Sequence, residues 1–266
     1  MDLKLTGKVA VVTGGSRGIG KAIAHALAHE GVNVALIARD GVAGQQAAHE
    51  IAAATGREIR AYQADTSLND TIEAAVGQIA RDFGGIDILV NCAAQAGGQR
   101  PPPAFPDITE EDFHADMNVK VMGYLRCAQA VFPHLKQRGW GRIINISGLA
   151  ARQTGAIIGS IRNVGVAALT KNLADQLGRY GINVTCVHPG LTRTEKTREV
   201  VERQANIAGI TSDEMEKRLA SRNIVGRVID ASEVADLVVF LASPRSIAVN
   251  GDAIAAGGGT PGPIHY

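Results

Sequence analysis

The chain has little of what marks several functional classes. It carries only three cysteines in 266 residues, Cys92, Cys127 and Cys186, far apart and set in apolar runs. An odd, dispersed set of this kind makes neither a disulfide framework nor a Cys-x-x-Cys metal site, so reduced thiols and no metal centre are expected. Charge of one sign is not in excess: 27 basic residues against 26 acidic leave a formal net charge of +1. Nothing in that balance calls for nucleic acid or an acidic membrane surface. No segment approaches the ~20 apolar residues that span a bilayer, and the opening MDLKLTGKVAVVTGG has no apolar h-region. A soluble, cytoplasmic protein acting on a small molecule is the expectation. Repeats and low-complexity blocks are also missing, and the short stretch PPPAFP at 101–106 is read as a stiff surface loop.

What is present is a regular alternation. KVAVV, NVALIA, IDILVN, RIINIS and INVTCV have the length and β-branched content of buried strands, with weaker strands in GREIRAYQAD and GDAIAAGG. Between them lie helical patterns such as KAIAHALAHEG, whose Gly31 suits a helix C-terminus. TEED at 109–112 starts another helix, with Thr109 as its cap, expected to run to about residue 138. About seven strands alternating with helices give a single α/β domain of 1–266, a Rossmann-type doubly wound parallel sheet with helices on both faces. Residues 191–230 are polar and charged with no strand-like run, and they follow the strand end His188-Pro189-Gly190. Both a substrate lid and an inert surface excursion fit that position.

The first strand runs into TGGSRGIG, which opens the first helix. Gly14, Gly18 and Gly20 let the backbone turn tightly, approach a pyrophosphate and offer it helix N-terminal N–H groups. With that loop, Asp65 after the third strand, NCAA at 91–94, Asn118, Ser147 and PGLTRT at 189–194, the sequence resembles the short-chain dehydrogenase/reductase family over nearly its whole length. The resemblance implies a nicotinamide cofactor held by Gly14, Ser16, Arg17, Gly18, Ile19 and Gly20, by Arg39, Asp65 and Thr66, by Asn91 and Ala93, and by Pro189, Gly190 and Thr194. In it Asp65 contacts the adenine, Asn91 supports the sheet and Thr194 holds the carboxamide. It also implies a homotetramer or homodimer. Cofactor choice turns on NVALIARD: the family's usual acid position falls on Ala38, the next residue is Arg39, and Arg17 lies in the glycine loop. A missing acid and two cations favour NADP(H); NAD(H) is the alternative if Asp40, one residue further on, is the ribose ligand.

The family's proton chemistry uses a tyrosine, a lysine, a serine and an asparagine. Ser147 and Asn118 match two of the four. The Tyr-x-x-x-Lys pair is missing: one register puts Gly159 and Asn163 in those places, another Ser160 and Val164. Among replacements, Ser160 is too weakly acidic, Arg162 cannot release a proton, and His188 before Pro-Gly suits a turn. His25 and His29 lack a third ligand. Tyr62, Tyr124 and Tyr180 have no motif placing them beside the nicotinamide, and Tyr266 or His265 of the tail TPGPIHY could reach a neighbouring subunit's cleft. Three readings stay open: an NADP(H)-dependent oxidoreductase with an atypical proton donor, a non-redox isomerase, cyclase or lyase on the same fold, and a non-catalytic NADP(H)-binding partner or regulator.

Overall fold

The computed structural model describes residues 1–94 and 103–261. Among these, nine strands follow in chain order: β1 (Val9–Thr13), β2 (Asn33–Ala38), β3 (Ile59–Gln63), β4 (Ile88–Asn91), β5 (Gly141–Ile146), β6 (Ile182–Pro189), β7 (Thr192–Arg193), β8 (Ile229–Asp230) and β9 (Ala253–Ala256). Seven form one sheet in the order β3-β2-β1-β4-β5-β6-β9, every pair parallel. The helices are α1 (Gly18–His29), α2 (Gly41–Thr55), α3 (Asn69–Phe83), α4 (Glu110–Met117), α5 (Gly123–Arg138), α6 (Ile157–Leu177), α7 (Thr197–Ala208), α8 (Ser212–Ala220) and α9 (Ala231–Ala242). This is the doubly wound fold expected. β1, β4, β5 and β6 are buried at every position, which is why they read as unbroken apolar runs.

The core lies in two layers. On one face Ile23 and Leu27 of α1, Ile51 of α2 and Val238 of α9 pack against Val12, Val34 and Ile144. On the other, Ile72 and Val76 of α3, Val131 and Leu135 of α5 and Leu177 of α6 pack against Val11, Leu89 and Val184. The register brings Thr13, Asn91 and Asn145 into one row at the carboxyl ends of β1, β4 and β5. Asn91 Nδ2 donates to Asn145 Oδ1 at 2.9 Å, and Asn145 Nδ2 to Thr170 Oγ1 at 2.9 Å. Thr13 Oγ1 accepts the backbone N–H groups of Cys92 and Ala93. The loop after β4 is therefore pinned directly beside the glycine loop.

Two departures from the sequence reading matter for function. The helix expected from Thr109 to residue 138 does start on that cap, Thr109 Oγ1 accepting from Asp112 N at 3.1 Å. It then widens into a π turn, Asn118–Met122, before α5. Side chains take up the carbonyls there: Arg126 Nη1 donates to Asn118 O and Thr66 Oγ1 to Val119 O. An extra residue in the ladder shifts every later side chain around the axis, so a 3.6-residue count misplaces what faces inward. The second departure is in 191–230, where β7 and β8 pair as a two-stranded ribbon. Around it α7 and α8 build a small core of their own from Val201, Ala205, Met215, Leu219 and Val228. Arg193 ties that unit together from within, to Glu216 at 2.5 Å and Asp230 at 3.2 Å.

Candidate active site

A cavity of about 1050 Å³ opens at the carboxyl ends of the strands. The glycine loop forms its floor: Gly14, Ser16, Arg17, Gly18, Ile19 and Gly20 all line it. A Cβ at position 20 would fall 2.3 Å from Gly14 O, so only glycine lets the helix start this close to the strand. The first N–H of α1 does not stand idle. Gly18 N donates to the Glu195 carboxylate at 3.0 and 3.2 Å, an internal anion seated where a helix N-terminus favours negative charge.

Arg39 lines the same cavity as Arg17. Asp40 is there too, but its Oδ1 caps α2 by accepting from Ala43 N at 3.0 Å. Ala64 and Thr66 reach the cavity while Asp65, between them, does not; its Oδ1 accepts from the N–H and hydroxyl of Ser67 at 2.8 and 2.7 Å. Burial alone would raise the Asp65 pKa, but those bonds and the nearby Arg39 bring it below the ordinary carboxylate range. Ala93, Pro189, Gly190 and Thr194 line the cavity, whereas Asn91 stays within the sheet. Leu191, Lys196, Val200, Gln204 and Leu219 are among the residues of the 191–230 segment that line it.

Ser147, at the end of β5, also lines the cavity, and its Oγ donates to Asn163 O at 3.0 Å. Asn163 is buried on α6, whereas Val164 is 51% exposed, so the register that matches Gly159 and Asn163 is the one facing Ser147. A Cβ at Gly148 would stand only 3.1 Å from Asn163 Nδ2, which keeps this approach tight. Asn118 is not here. Its Nδ2 donates to Ser67 O and its Oδ1 accepts from Arg126, outside the cavity. The π turn instead delivers Lys120, whose Nζ donates to Ser147 O at 2.9 Å and Asn163 Oδ1 at 3.1 Å. Lys120 is 4% exposed and lines the cavity. Its signal in the sequence was a lone cation inside the apolar run VKVMGY.

Burial first, then repulsion from Arg162, lowers the Lys120 pKa from 10.5 to about 7; Cys92, Cys186 and Asp116 pull the other way without restoring it. Arg162 is itself clamped, donating to both Asp116 oxygens at 2.8 Å. Other candidates lie apart from this cluster. Tyr62 bonds Asp82, Tyr124 bonds Ile146 O, and Tyr180 packs on Phe132. Among the described residues no tyrosine lines the cavity. His188 is buried beside Cys186, Ser160 Oγ donates to Gln153 O, and His25 and His29 meet edge to face on α1. Tyr266, His265 and residues 101–102 of the Pro-rich stretch lie outside the described residues. Among the described residues there is no cluster able to hold a metal ion, and no helix is long and apolar enough to cross a membrane.

A family model described as enoyl-(acyl carrier protein) reductase matches residues 14–260. The short-chain reductase protein NovJ of Streptomyces niveus is 34% identical over 95% of this chain and 94% of its own. The L-sorbose reductase of Gluconobacter frateurii, solved with NADPH and L-sorbose, superposes with a TM-score of 0.93 at 28% identity over 99% of this chain and 100% of that one. An actinorhodin polyketide ketoreductase solved with NADPH gives a TM-score of 0.86 at 31% identity, covering 94% and 96%.

The burial of Lys120 has a stability consequence. Below about pH 7 both the folded and unfolded chains hold its proton, and the fold carries the whole cost of burying the charge. As pH rises through 7 the fold releases that proton while the unfolded chain keeps it to about 10.5. The unfolded state then binds more protons, so stability climbs with pH. Urea unfolding of the wild type and Lys120→Met between pH 7 and 9 should show the wild type gaining roughly 2–3 kcal/mol on the variant, at about 1.4 kcal/mol per tenfold change in proton affinity. Parallel pH dependences would mean an ordinary lysine.

Proposed function

The chain belongs to the short-chain dehydrogenase/reductase family, and from that premise we propose that it is an NADP(H)-dependent oxidoreductase acting on a carbonyl or hydroxyl substrate, with a proton donor other than tyrosine. The observation that carries this reading is the shared cavity: the anion-binding glycine loop and Ser147 line one continuous space. The residues present fit the cofactor. Gly18 already holds an anion at its N–H, Arg17 and Arg39 both line the cavity and supply positive charge for a 2′-phosphate, and Asp40 is engaged in capping α2. The NADPH in the solved L-sorbose reductase and ketoreductase supports the same choice.

In this reading NADPH, when bound, supplies a hydride to the substrate carbon. Thr66, Ala93, Pro189, Gly190 and Thr194 shape the wall against which the dinucleotide lies, and Ser147 offers its hydroxyl to the substrate oxygen. Residues 191–230 act as the lid: their own small core lets them move as a unit, and Leu191, Lys196 and Val200 give them a face on the cavity. A homo-oligomer is part of the proposal, because Ile157, Ile161 and Val164 form an apolar stripe on α6 that is 51%, 45% and 51% exposed. The lack of a tyrosine in the described lining favours the second reading, a non-redox enzyme or nucleotide-binding partner. Transfer of deuteride from 4-deuterated NADPH to an aldehyde, ketone or diketone separates the two.

Arg39→Ala should weaken NADPH binding roughly tenfold, as expected for losing a hydrogen bond to a charged group, and leave NADH nearly unchanged in fluorescence titrations; equal losses would remove the case for the 2′-phosphate. Glu195→Gln should tighten NADPH severalfold in the same titration, since the competing carboxylate charge at the start of α1 is gone. Sedimentation velocity should find Ile161→Asp in a smaller assembly than the wild type, and an unchanged sedimentation coefficient would exclude α6 from the interface.

A further inference from the structure

We infer that Lys120 is the proton donor and acceptor of this site, reaching Ser147 from the π turn; the inference rests on the oxidoreductase reading above. Two of its three ammonium protons are committed, to Ser147 O at 2.9 Å and Asn163 Oδ1 at 3.1 Å. The third is left for a ligand in the cavity that Lys120 lines. Its neighbours cannot do the same work. The Ser147 hydroxyl can be turned toward a substrate oxygen but, as an alcohol, is too weakly acidic to release its proton near neutrality, and Arg162 is paired with Asp116 and effectively never deprotonates. Tyr62, Tyr124 and Tyr180 are bonded or packed elsewhere.

The groups that set its acidity come from four elements: Arg162 on α6, Asp116 on α4, Cys92 after β4 and Cys186 on β6. A buried amine repelled by one fixed cation gives up its proton near neutrality, which is where a general acid and base works best. In the reductive direction the carbonyl carbon gains the hydride, with NADPH as the reductant and NADP⁺ as its product. The carbonyl oxygen takes the former π pair. Its new O–H bond forms as one N–H bond of Lys120 breaks, and the neutral amine recovers a proton from solvent. In the oxidative direction the neutral amine takes the hydroxyl proton.

The test combines three measurements on the full chain. NADPH affinity is read by fluorescence, NADPH oxidation by absorbance with 9,10-phenanthrenequinone, diacetyl and 4-nitrobenzaldehyde across pH 5–10, and the Lys120 side chain by NMR of lysine-labelled protein, assigned by its loss in Lys120→Met. The expected result is a Lys120 resonance titrating near neutrality and a Lys120→Ala variant that binds NADPH normally but turns over about 10²-fold or more slower. Ethylamine should restore part of that rate, while Lys120→Arg, which keeps the charge but cannot release a proton, should not. Lys120→Ala with the wild-type rate and pH profile would overturn the inference and leave the redox reading standing. A wild type that binds NADPH but oxidises it with none of the probes overturns both. If Lys120→Ala fails to bind NADPH, the other two observations decide: a resonance titrating above pH 10, or Lys120→Arg at wild-type rate, sinks the assignment.

Discussion

A parallel sheet buried on both faces has no side-chain surface to spare for chemistry, because each strand must be covered twice. Only the strand ends remain, where the backbone leaves the sheet and its N–H groups and short polar side chains come free. The row Thr13, Asn91 and Asn145 shows how this end is made firm. Each side chain in it bonds a neighbour in the sheet or the loop beyond, so the loop after β4 and the start of α1 hold a fixed separation. The cavity depends on that separation. Gly14 sits where a Cβ would come within 3.0 Å of Ala93, and two loops this close enclose a narrow, pre-formed trough.

At the far end of the trough charge is arranged by a similar economy. A lysine needs either water or a partner, and Lys120 is buried with no carboxylate bonded to it. It has two neutral oxygens and a cation nearby, an environment that favours the uncharged amine. The carboxylate of Asp116 satisfies Arg162 rather than Lys120. The geometry thus separates a permanent positive charge, locked by its ion pair, from a conditional one beside Ser147.

Most of the fold could be read from the chain, since buried strands and glycine turns leave local marks. NVALIA is a strand over its whole length, and Thr109 caps where a cap was expected. The glycine loop, Arg17, Arg39 and Ser147, each singled out by a motif, line one cavity. The side chain of Asn118 bonds Ser67 and Arg126 outside the cavity, a placement that the short match MNV, which carries no information about helical phase, does not reveal. The π turn arises from tertiary bonds to Thr66 and Arg126, and no local pattern announces it. β7 and β8 were equally silent: two-residue strands have no periodicity, and they exist because residues 37 positions apart are brought together by the helices between them.

The carboxylate of Glu195 at the start of α1 bears on which anions the trough admits. A small ion such as inorganic phosphate arriving at Gly18 must exchange one resident negative charge for another, with almost nothing gained from the exchange. A dinucleotide meets the same resident but brings ring and ribose surface to the rest of the wall, so its balance is drawn from a much larger contact. At the Gly18 N–H, discrimination between the two follows the length of the visitor, and a segment of the chain itself sets the threshold.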